Sequence, residues 1–243
     1  YHLSTKKKYQ QLNLIVRCYM NKKMLRYEVK FPIKKFNEAV FYTWLTKNSY
    51  YKKEYNTRIV NNIYFDTLNL NSLKENIIGL GNKTKARLRW YGDNDSKIFL
   101  EFKIKFNRVG KKIIIPLDVK LDKINLRKVF TKQFLKNEYY NSEIINFLNN
   151  KKLLPVTKVS YKRKYYKINS DLRFTYDEKI NYSLYKVSNF SKPLYDDFNV
   201  LEMKANLNGN EDNIKYLKKV PFPNTRFSKY LRSMAFHKKT IYY

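Results

Sequence analysis

The chain has 243 residues, with 51 Lys and Arg against 20 Asp and Glu, a formal net charge of +31 and 17% aromatic residues. This length suits one large domain, and the aromatic content excludes a disordered polycation. An excess of positive charge favours polyanionic partners such as nucleic acid, an anionic membrane or polyphosphate. Because A/T-rich codon usage alone would enrich lysine, the positions of the arginines carry more information than the total charge.

Cysteine and histidine are too few for the common metal sites. The single cysteine, Cys18, excludes an internal disulfide and a multi-cysteine zinc site. His2 and His237 lie at opposite ends of the chain, which argues against a histidine-rich site. No apolar run approaches the ~20 residues that span a bilayer, and the N-terminus does not have the pattern of a secretory signal. We therefore expect a cytoplasmic protein with a basic N-terminal extension over residues 1–23 and one domain over residues 24–243.

Short segments of alternating apolar and polar residues predict strands along most of the chain. In chain order, the predicted strands are residues 24–31, 58–66, 84–91, 98–106, 111–119, 156–168, 172–180 and 199–206. Apolar residues at helical spacing predict helices over 34–47, 143–150 and 227–237. Residues 107–110 are typical of a hairpin turn. These elements predict an α+β fold with a large antiparallel sheet.

Six of the predicted strands carry charged residues, mostly Lys and Arg, on one face and apolar residues on the other. On any single strand, this pattern is the ordinary one for a face in water. Repeated over six strands, it predicts a closed β-barrel with helices packed outside and the charged faces converging within. Like charges crowded in such a cavity repel by on the order of several kcal/mol, so the interior would be tolerated only as an anion site.

Several short motifs in this order resemble the catalytic domain of the vacuolar transporter chaperone (VTC) polyphosphate polymerases, within the triphosphate tunnel metalloenzyme, or CYTH-like, superfamily. The resemblance spans nearly the whole chain, about residues 25–236. It rests on I-Y-F-D-T at 63–67, K-A-R-L-R-W-Y-G at 85–92, L-E-F-K at 100–103, Y-K-R at 161–163, L-R-F-T-Y-D at 172–177, L-E-M-K at 201–204 and R-F-S-K-Y at 226–230.

The resemblance implies an antiparallel β-tunnel whose basic lining binds triphosphate and a growing polyphosphate chain. The residues that it implies for catalysis are Arg87, Arg89, Lys103, Arg163, Arg173 and Lys229. Those that it implies for substrate binding are Arg26, Lys30, Lys111, Tyr161, Lys204 and Ser228. It also implies Glu202 as the carboxylate that holds Mn²⁺ or Mg²⁺. The residues themselves leave other roles open, since Glu202 could pair with an arginine, Tyr161 could pack in the core and Ser228 could cap a helix.

Two positions depart from the patterns of related proteins. Related CYTH hydrolases begin with E-x-E-x-K, whereas this chain has R-Y-E-V-K, so Arg26 replaces the first glutamate. The exchange removes a metal-ligand candidate and adds a cation, which favours polymerase over hydrolase chemistry. After Leu73, Asn76 stands where some polymerase relatives carry a further basic residue.

The predicted function is metal-assisted transfer of the terminal phosphate of ATP, or another nucleoside triphosphate, to a polyphosphate chain. The expected partners are ATP, polyphosphate and a separate membrane protein. Three alternatives stay open: a triphosphate or polyphosphate hydrolase of the same fold, a non-catalytic polyphosphate-binding protein, and a nucleic-acid binder. Basic residues that alternate with apolar faces argue against the last, because a nucleic-acid binder would display them on an outer stripe.

Overall fold

A computed structural model describes residues 26–47, 51–93, 95, 97–106, 109–117, 119–130, 148, 151–206 and 211–238. Its strands are β1 (Arg26–Lys34), β2 (Lys52–Asp66), β3 (Lys83–Tyr91), β4 (Ile98–Phe106), β5 (Val109–Leu117), β6 (Leu154–Lys167), β7 (Leu172–Leu184), β8 (Leu194–Tyr195) and β9 (Phe198–Asn206). Its α-helices are α1 (Glu38–Lys47), α2 (Asn71–Ile78), α3 (Glu211–Lys218) and α4 (Lys229–Lys238). Short 3₁₀ turns lie at Lys35–Asn37, Leu121–Lys123 and Leu126–Lys128.

The strands form one antiparallel sheet, as predicted. Its order is β1-β9-β7-β6-β2-β3-β4-β5, and β8 pairs with β7. β1 and β5 are the two ends of this path, so in the described part of the chain the sheet is not closed into a hydrogen-bonded barrel. Closure of the predicted tunnel therefore stays a proposal.

The sheet is nevertheless strongly curled. β1 and β4 are six steps apart in the strand order, which would separate them by about 29 Å in a flat sheet. Yet Lys103 Nζ on β4 lies 3.6 Å from Glu28 Oε2 on β1. Side chains that meet across such a distance must project from the concave face. The charged residues of β1 and β4 therefore face one another.

The opposite, convex face of β2, β3 and β4 is apolar. Ile63, Leu88 and Leu100 are fully buried there, and residues of the 119–130 segment such as Ile124 and Val129 pack over them. This is the alternation that the sequence predicts, with every second residue of each strand in the core.

The helices cover both faces. Phe41 of α1 stacks on Tyr176 of β7 at 4.0 Å between ring centroids. Lys229 of α4 instead meets Asp177, the next residue of that strand, at 2.6 Å. Because successive strand residues point to opposite faces, α4 lies on the charged face and α1 on the other. The sequence predicts that the helices pack outside the barrel, away from the charged residues. The placement of α4 on the charged face differs from this prediction.

The orientation of the first helix also differs from the prediction. The helical spacing of Phe36, Val40, Phe41 and Trp44 predicts that these four residues share the apolar side of the helix. In the structure, however, Phe36 and Val40 are 77% and 47% exposed. Phe36 belongs to the 3₁₀ turn before α1, and the turn changes the angular spacing on which the pattern depends. Phe41 and Leu45 are the buried residues of the helix.

Eight of the strands match the predicted ones to within a few residues, apart from an earlier start for β2. α2, α3 and the two-residue β8 were not predicted from the sequence. The predicted extension 1–23 and most of the predicted helix 143–150 lie outside the described residues, as do residues 107 and 108 of the turn. In the described part of the chain, no helix is both long and apolar enough to cross a membrane.

Asp66 joins three elements of the fold through hydrogen bonds to its carboxylate. Its fully buried carboxylate accepts hydrogen bonds from the backbone N–H groups of Ser72 and Leu73 at the start of α2, at 2.9 and 3.0 Å. It also accepts one from the Tyr230 hydroxyl at 2.6 Å, which joins α2 to α4. We expect Asp66→Ala to lose about 3 kcal/mol of unfolding free energy, because several buried donors lose their acceptor. Urea denaturation measures the loss, and Asp93→Ala, at an exposed site, is the matched control.

Candidate anion-binding site on the charged face

The charged face is the set of polar side chains that share the concave side of the sheet. Its described members include Glu28, Lys30, Asn62, Tyr64, Lys85, Arg87, Arg89, Glu101, Lys103, Lys112, Tyr161, Arg163, Thr175, Asp177, Glu202 and Lys204. Cations outnumber carboxylates in this set. Strand pairing aligns these residues across neighbouring strands, so the sheet itself places them together.

Glu101 on β4 holds one group of cations. Its carboxylate lies 2.7 Å from Arg87 Nη2, 2.6 Å from Lys112 Nζ and 3.7 Å from Arg89 Nη1. Burial alone would raise the pKa of Glu101, but Arg87, Arg89 and Lys112 lower it to about 2. The carboxylate is therefore ionised throughout the physiological range and fixes the position of both arginines.

Arg89 is almost completely buried and serves partly as a structural residue. Its Nε donates to Asn62 Oδ1 at 2.8 Å, and its Nη2 donates to the Tyr161 hydroxyl at 3.4 Å. Asn62 in turn donates to the carbonyl of Val159. Arg87 is more accessible: it contacts Glu101 through Nε and Nη2, and its Nη1 donates to the Tyr64 hydroxyl at 3.2 Å. Of the two arginines, Arg87 is the better placed to contact a ligand.

Asp177 on β7 organises a second group. Arg163 reaches it with two parallel hydrogen bonds, from Nε at 2.6 Å and from Nη2 at 2.8 Å, and Lys229 Nζ lies 2.6 Å away. Asp177 is fully buried, and although burial would raise its pKa, Arg163 and Lys229 lower it. Both cations also lie over the ring of Tyr161, at 5.1 and 4.6 Å from its centroid. Tyr161 therefore packs beneath the cations.

Glu28 and Glu202 lie diagonally across the β1–β9 pair. Lys204 Nζ is 2.7 Å from Glu202, and Lys30 Nζ is 3.3 Å from Glu28. Burial raises the pKa of Glu202, but Lys204, Lys30 and Arg163 together hold it well below the usual value. Burial and the charge of Glu202 raise the pKa of Glu28, but Lys30, Lys103 and Lys204 outweigh them, so the pKa of Glu28 lies below its usual value. The side chains of Glu28 and Glu202 are therefore both ionised on the concave face.

The fit to a divalent cation depends on these two carboxylates. The described residues contain no group of three or more His, Cys, Asp or Glu that could hold a metal alone. Mg²⁺ commonly binds through one or two carboxylates and takes its other ligands from water and substrate phosphates. Glu202, with Glu28 beside it, fits a cation of this kind, which would bind together with a phosphate ligand.

Ser228 lies immediately before α4. Its hydroxyl oxygen accepts from the backbone N–H of Leu231 at 3.4 Å, a helix-capping contact, and also accepts from Lys85 Nζ at 3.2 Å. Lys30 Nζ donates to the carbonyl of Phe227 next to it at 3.3 Å. Ser228 therefore caps α4 while its hydroxyl also contacts Lys85 on the charged face, and the phosphate contact implied for it stays a prediction.

Three predicted residues lie apart from this group. Arg173 is exposed and opposite Lys204, toward the end of the face. Arg26 pairs with Asn206 at the start of β1, and its side chain is outside what the structure describes. Lys111 stands opposite Ile104 in the pairing of β4 with β5, and its side chain is also outside what the structure describes.

Lys112 takes the position that the sequence analysis assigned to Lys111. It stands opposite Lys103 on β4 and contacts Glu101. Phe106 pairs with Val109, so the connection between β4 and β5 is two residues long rather than the predicted four. If the loop is taken to have two residues, the most common hairpin length, the register that follows from the sequence places Lys112 opposite Lys103.

Comparisons with known proteins agree with this architecture. The family model for the VTC domain matches residues 5–238. The chain belongs to the VTC family. No curated protein matched the sequence.

One solved structure shares the fold of this VTC-family chain at low sequence identity, and two others are similar to it over most of their length. The adenylyl cyclase candidate HpAC1 from Hippeastrum, described as having a dominant triphosphatase activity, is 12% identical, with a TM-score of 0.52 over 89% of this chain and 96% of that one. PH1819 from Pyrococcus horikoshii is 14% identical, with a TM-score of 0.48 over 88% and 98% of the two chains. An adenylate cyclase candidate from Vibrio parahaemolyticus is 11% identical, with a TM-score of 0.48 over 87% and 99%.

Glu101 offers a test of the charge balance on this face. We expect Glu101→Gln to lower the unfolding free energy at pH 7 by about 3 kcal/mol, because Arg87 and Arg89 lose the carboxylate that compensates them. Folding lowers the pKa of Glu101 from 4.5 to about 2, so its contribution is complete above pH 4.5 and is lost as the pH falls toward 2.

Urea unfolding of both proteins at pH 7 and at low pH measures this contribution. The difference between wild type and Glu101→Gln should shrink as the pH falls. An equal difference at both pH values would contradict the assigned ion pairs.

Proposed function

We propose that the charged face encloses a channel and that the protein is a polyphosphate polymerase, which transfers the terminal phosphate of a nucleoside triphosphate to a growing polyphosphate chain. The observation that carries this proposal is the surplus of cations on a curled, concave face. Its carboxylates already bind neighbouring cations, so the remaining positive charge calls for a polyanion. Membership of the VTC family supports a triphosphate- or polyphosphate-related activity.

Arginine and lysine have separate parts in the proposed reaction. The planar guanidinium groups of Arg87 and Arg163 match phosphate oxygens, and Glu101 and Asp177 hold them in place. Lys103, with 57% of its side chain exposed, reaches the open part of the face and can neutralise charge on a leaving phosphate. Phosphoryl transfer depends mainly on such positioning and charge neutralisation, and needs no covalent intermediate with the protein.

A bound Mn²⁺ or Mg²⁺ would supply further charge neutralisation at the phosphate oxygens. Glu202 would hold it, with Glu28 beside it. Arg26 stands where the related hydrolases have their first glutamate, and this exchange favours a polymerase. A cytoplasmic location and a separate membrane protein that receives the product belong to the same proposal.

Hydrolysis of triphosphate or polyphosphate is the second candidate. The activity described for HpAC1 favours it, as a property of that protein, on a fold that this chain shares. Incubation of the purified protein with ATP and Mn²⁺ separates the two reactions. A polymerase gives long chains on a polyphosphate gel, whereas a hydrolase releases only orthophosphate. Tight polyphosphate binding without turnover, with each cation tried, would instead indicate a binding protein.

Arg87 and Arg89 test the assignment of the site. We expect the double variant Arg87→Ala/Arg89→Ala to lose about 100-fold or more of polyphosphate synthesis, because the donors that position phosphate are gone. Arg127→Ala is the matched control, since Arg127 is exposed and bonds only the Val187 carbonyl among the hydrogen bonds described for its side chain. Thermal unfolding checks that the double variant is folded. Full synthesis by the folded double variant would overturn the assignment.

Substitution of Glu202 tests whether its carboxylate holds the proposed metal ion. We expect Glu202→Gln to need a roughly tenfold higher Mn²⁺ concentration for half-maximal synthesis, because the carboxylate that would hold the metal is lost. The measurement is a Mn²⁺ titration at saturating ATP. An unchanged Mn²⁺ requirement would show that Glu202 serves only as the partner of Lys204 and Lys30.

A further inference from the structure

Among the described residues, Lys85 on β3 lacks the ion pair that most lysines on and beside the charged face have. Lys30, Lys103, Lys112, Lys204 and Lys229 each have a carboxylate oxygen within 4.0 Å. In the described part of the chain, Lys85 has no such ion pair, and its Nζ has one hydrogen bond, to Ser228 Oγ at 3.2 Å. Its ammonium charge is therefore left without a compensating anion.

The groups around Lys85 increase this imbalance. The charged groups that face it are Lys30 from β1, Lys83 from β3 and Lys103 from β4, and Tyr64 faces it from β2. Ser228, before α4, supplies a neutral hydroxyl. Burial first, and then the three lysines, lower the pKa of Lys85 to about 8, although Tyr64 acts in the opposite direction. A cation in this setting destabilises the folded protein unless something negative binds beside it.

We propose that Lys85 and Ser228 form an additional phosphate-binding position, in which a phosphate group of the bound chain takes the place of the missing carboxylate. The proposal rests on the proposed function and adds a residue to it. The Lys85 ammonium donates a charge-assisted hydrogen bond, and the Ser228 hydroxyl is a second donor to the same phosphate.

Binding at this position is coupled to a proton. A phosphate beside Lys85 favours its charged form and raises its pKa, so the protein takes up a proton when the anion binds near pH 8. The affinity for phosphate chains should then fall as the pH rises above about 8, because the free protein increasingly holds a neutral amine.

Binding of tripolyphosphate by isothermal titration calorimetry tests the position without any need for turnover. At pH 7, we expect Lys85→Met to bind tripolyphosphate about tenfold or more weakly than wild type, as for the loss of one charged hydrogen bond. Lys192→Met, at an exposed position, is the control for the change in net charge and should bind nearly as wild type does. Equal affinities for Lys85→Met and Lys192→Met would overturn the proposal.

Lys85→Arg separates the proton linkage from packing. Arginine keeps its charge at all accessible pH values. The affinity of the Lys85→Arg variant for tripolyphosphate should therefore change less than that of wild type between pH 7 and 9.5. At pH 8, titrations in two buffers of different ionisation enthalpy should show uptake of roughly half a proton more by wild type than by Lys85→Arg. The same pH dependence in both proteins would overturn the proposal, even if Lys85→Met fails to fold.

Stability of the free protein gives a third measurement. If Lys85 had only a structural role, its replacement would lower the unfolding temperature of the protein. Because Lys85→Met removes an uncompensated cation, we expect the unfolding temperature to stay the same or to rise. A large fall in the unfolding temperature would contradict the proposal. Tripolyphosphate binding without synthesis by wild type would overturn the polymerase alone, and no binding by wild type would overturn both proposals.

Discussion

Compensation of charge on a concave face is the constraint on which this structure depends. A sheet that curls until β1 and β4 make contact brings many cations close together on one face. Glu101 and Asp177 make this arrangement tolerable, because each is a buried carboxylate that binds two or more cations at 2.6–2.8 Å. Without them, the arginines would repel one another and their guanidinium planes would have no fixed orientation.

The same carboxylates are too few to neutralise the whole face. The surplus leaves some cations, Lys85 above all, in surroundings that only an anion can make favourable. A site arranged in this way gives up some stability in the free protein and recovers it when a polyanion binds. Fold and proposed function are therefore linked through one electrostatic balance, and the VTC family assignment agrees with it.

Much of the fold could be predicted because the strands alternate so regularly. Ala86, Leu88 and Trp90 pack in the core while Arg87 and Arg89 lie on the other face, and strand periodicity alone assigns each to its side. The helices were predicted less well, since α2 and α3 are short and α4 lies on the charged face, a placement that no local pattern reveals.

The sequence by itself determined which residues of each strand share a face, because side chains alternate with a period of two. It could not determine how the faces meet. The pairing of Lys112 with Lys103, the exposure of Arg173 and the contact of Lys85 with Ser228 follow from hairpin register, curvature and helix docking. These are decided by contacts between segments far apart in the chain, where a shift of one residue moves a side chain to the other face.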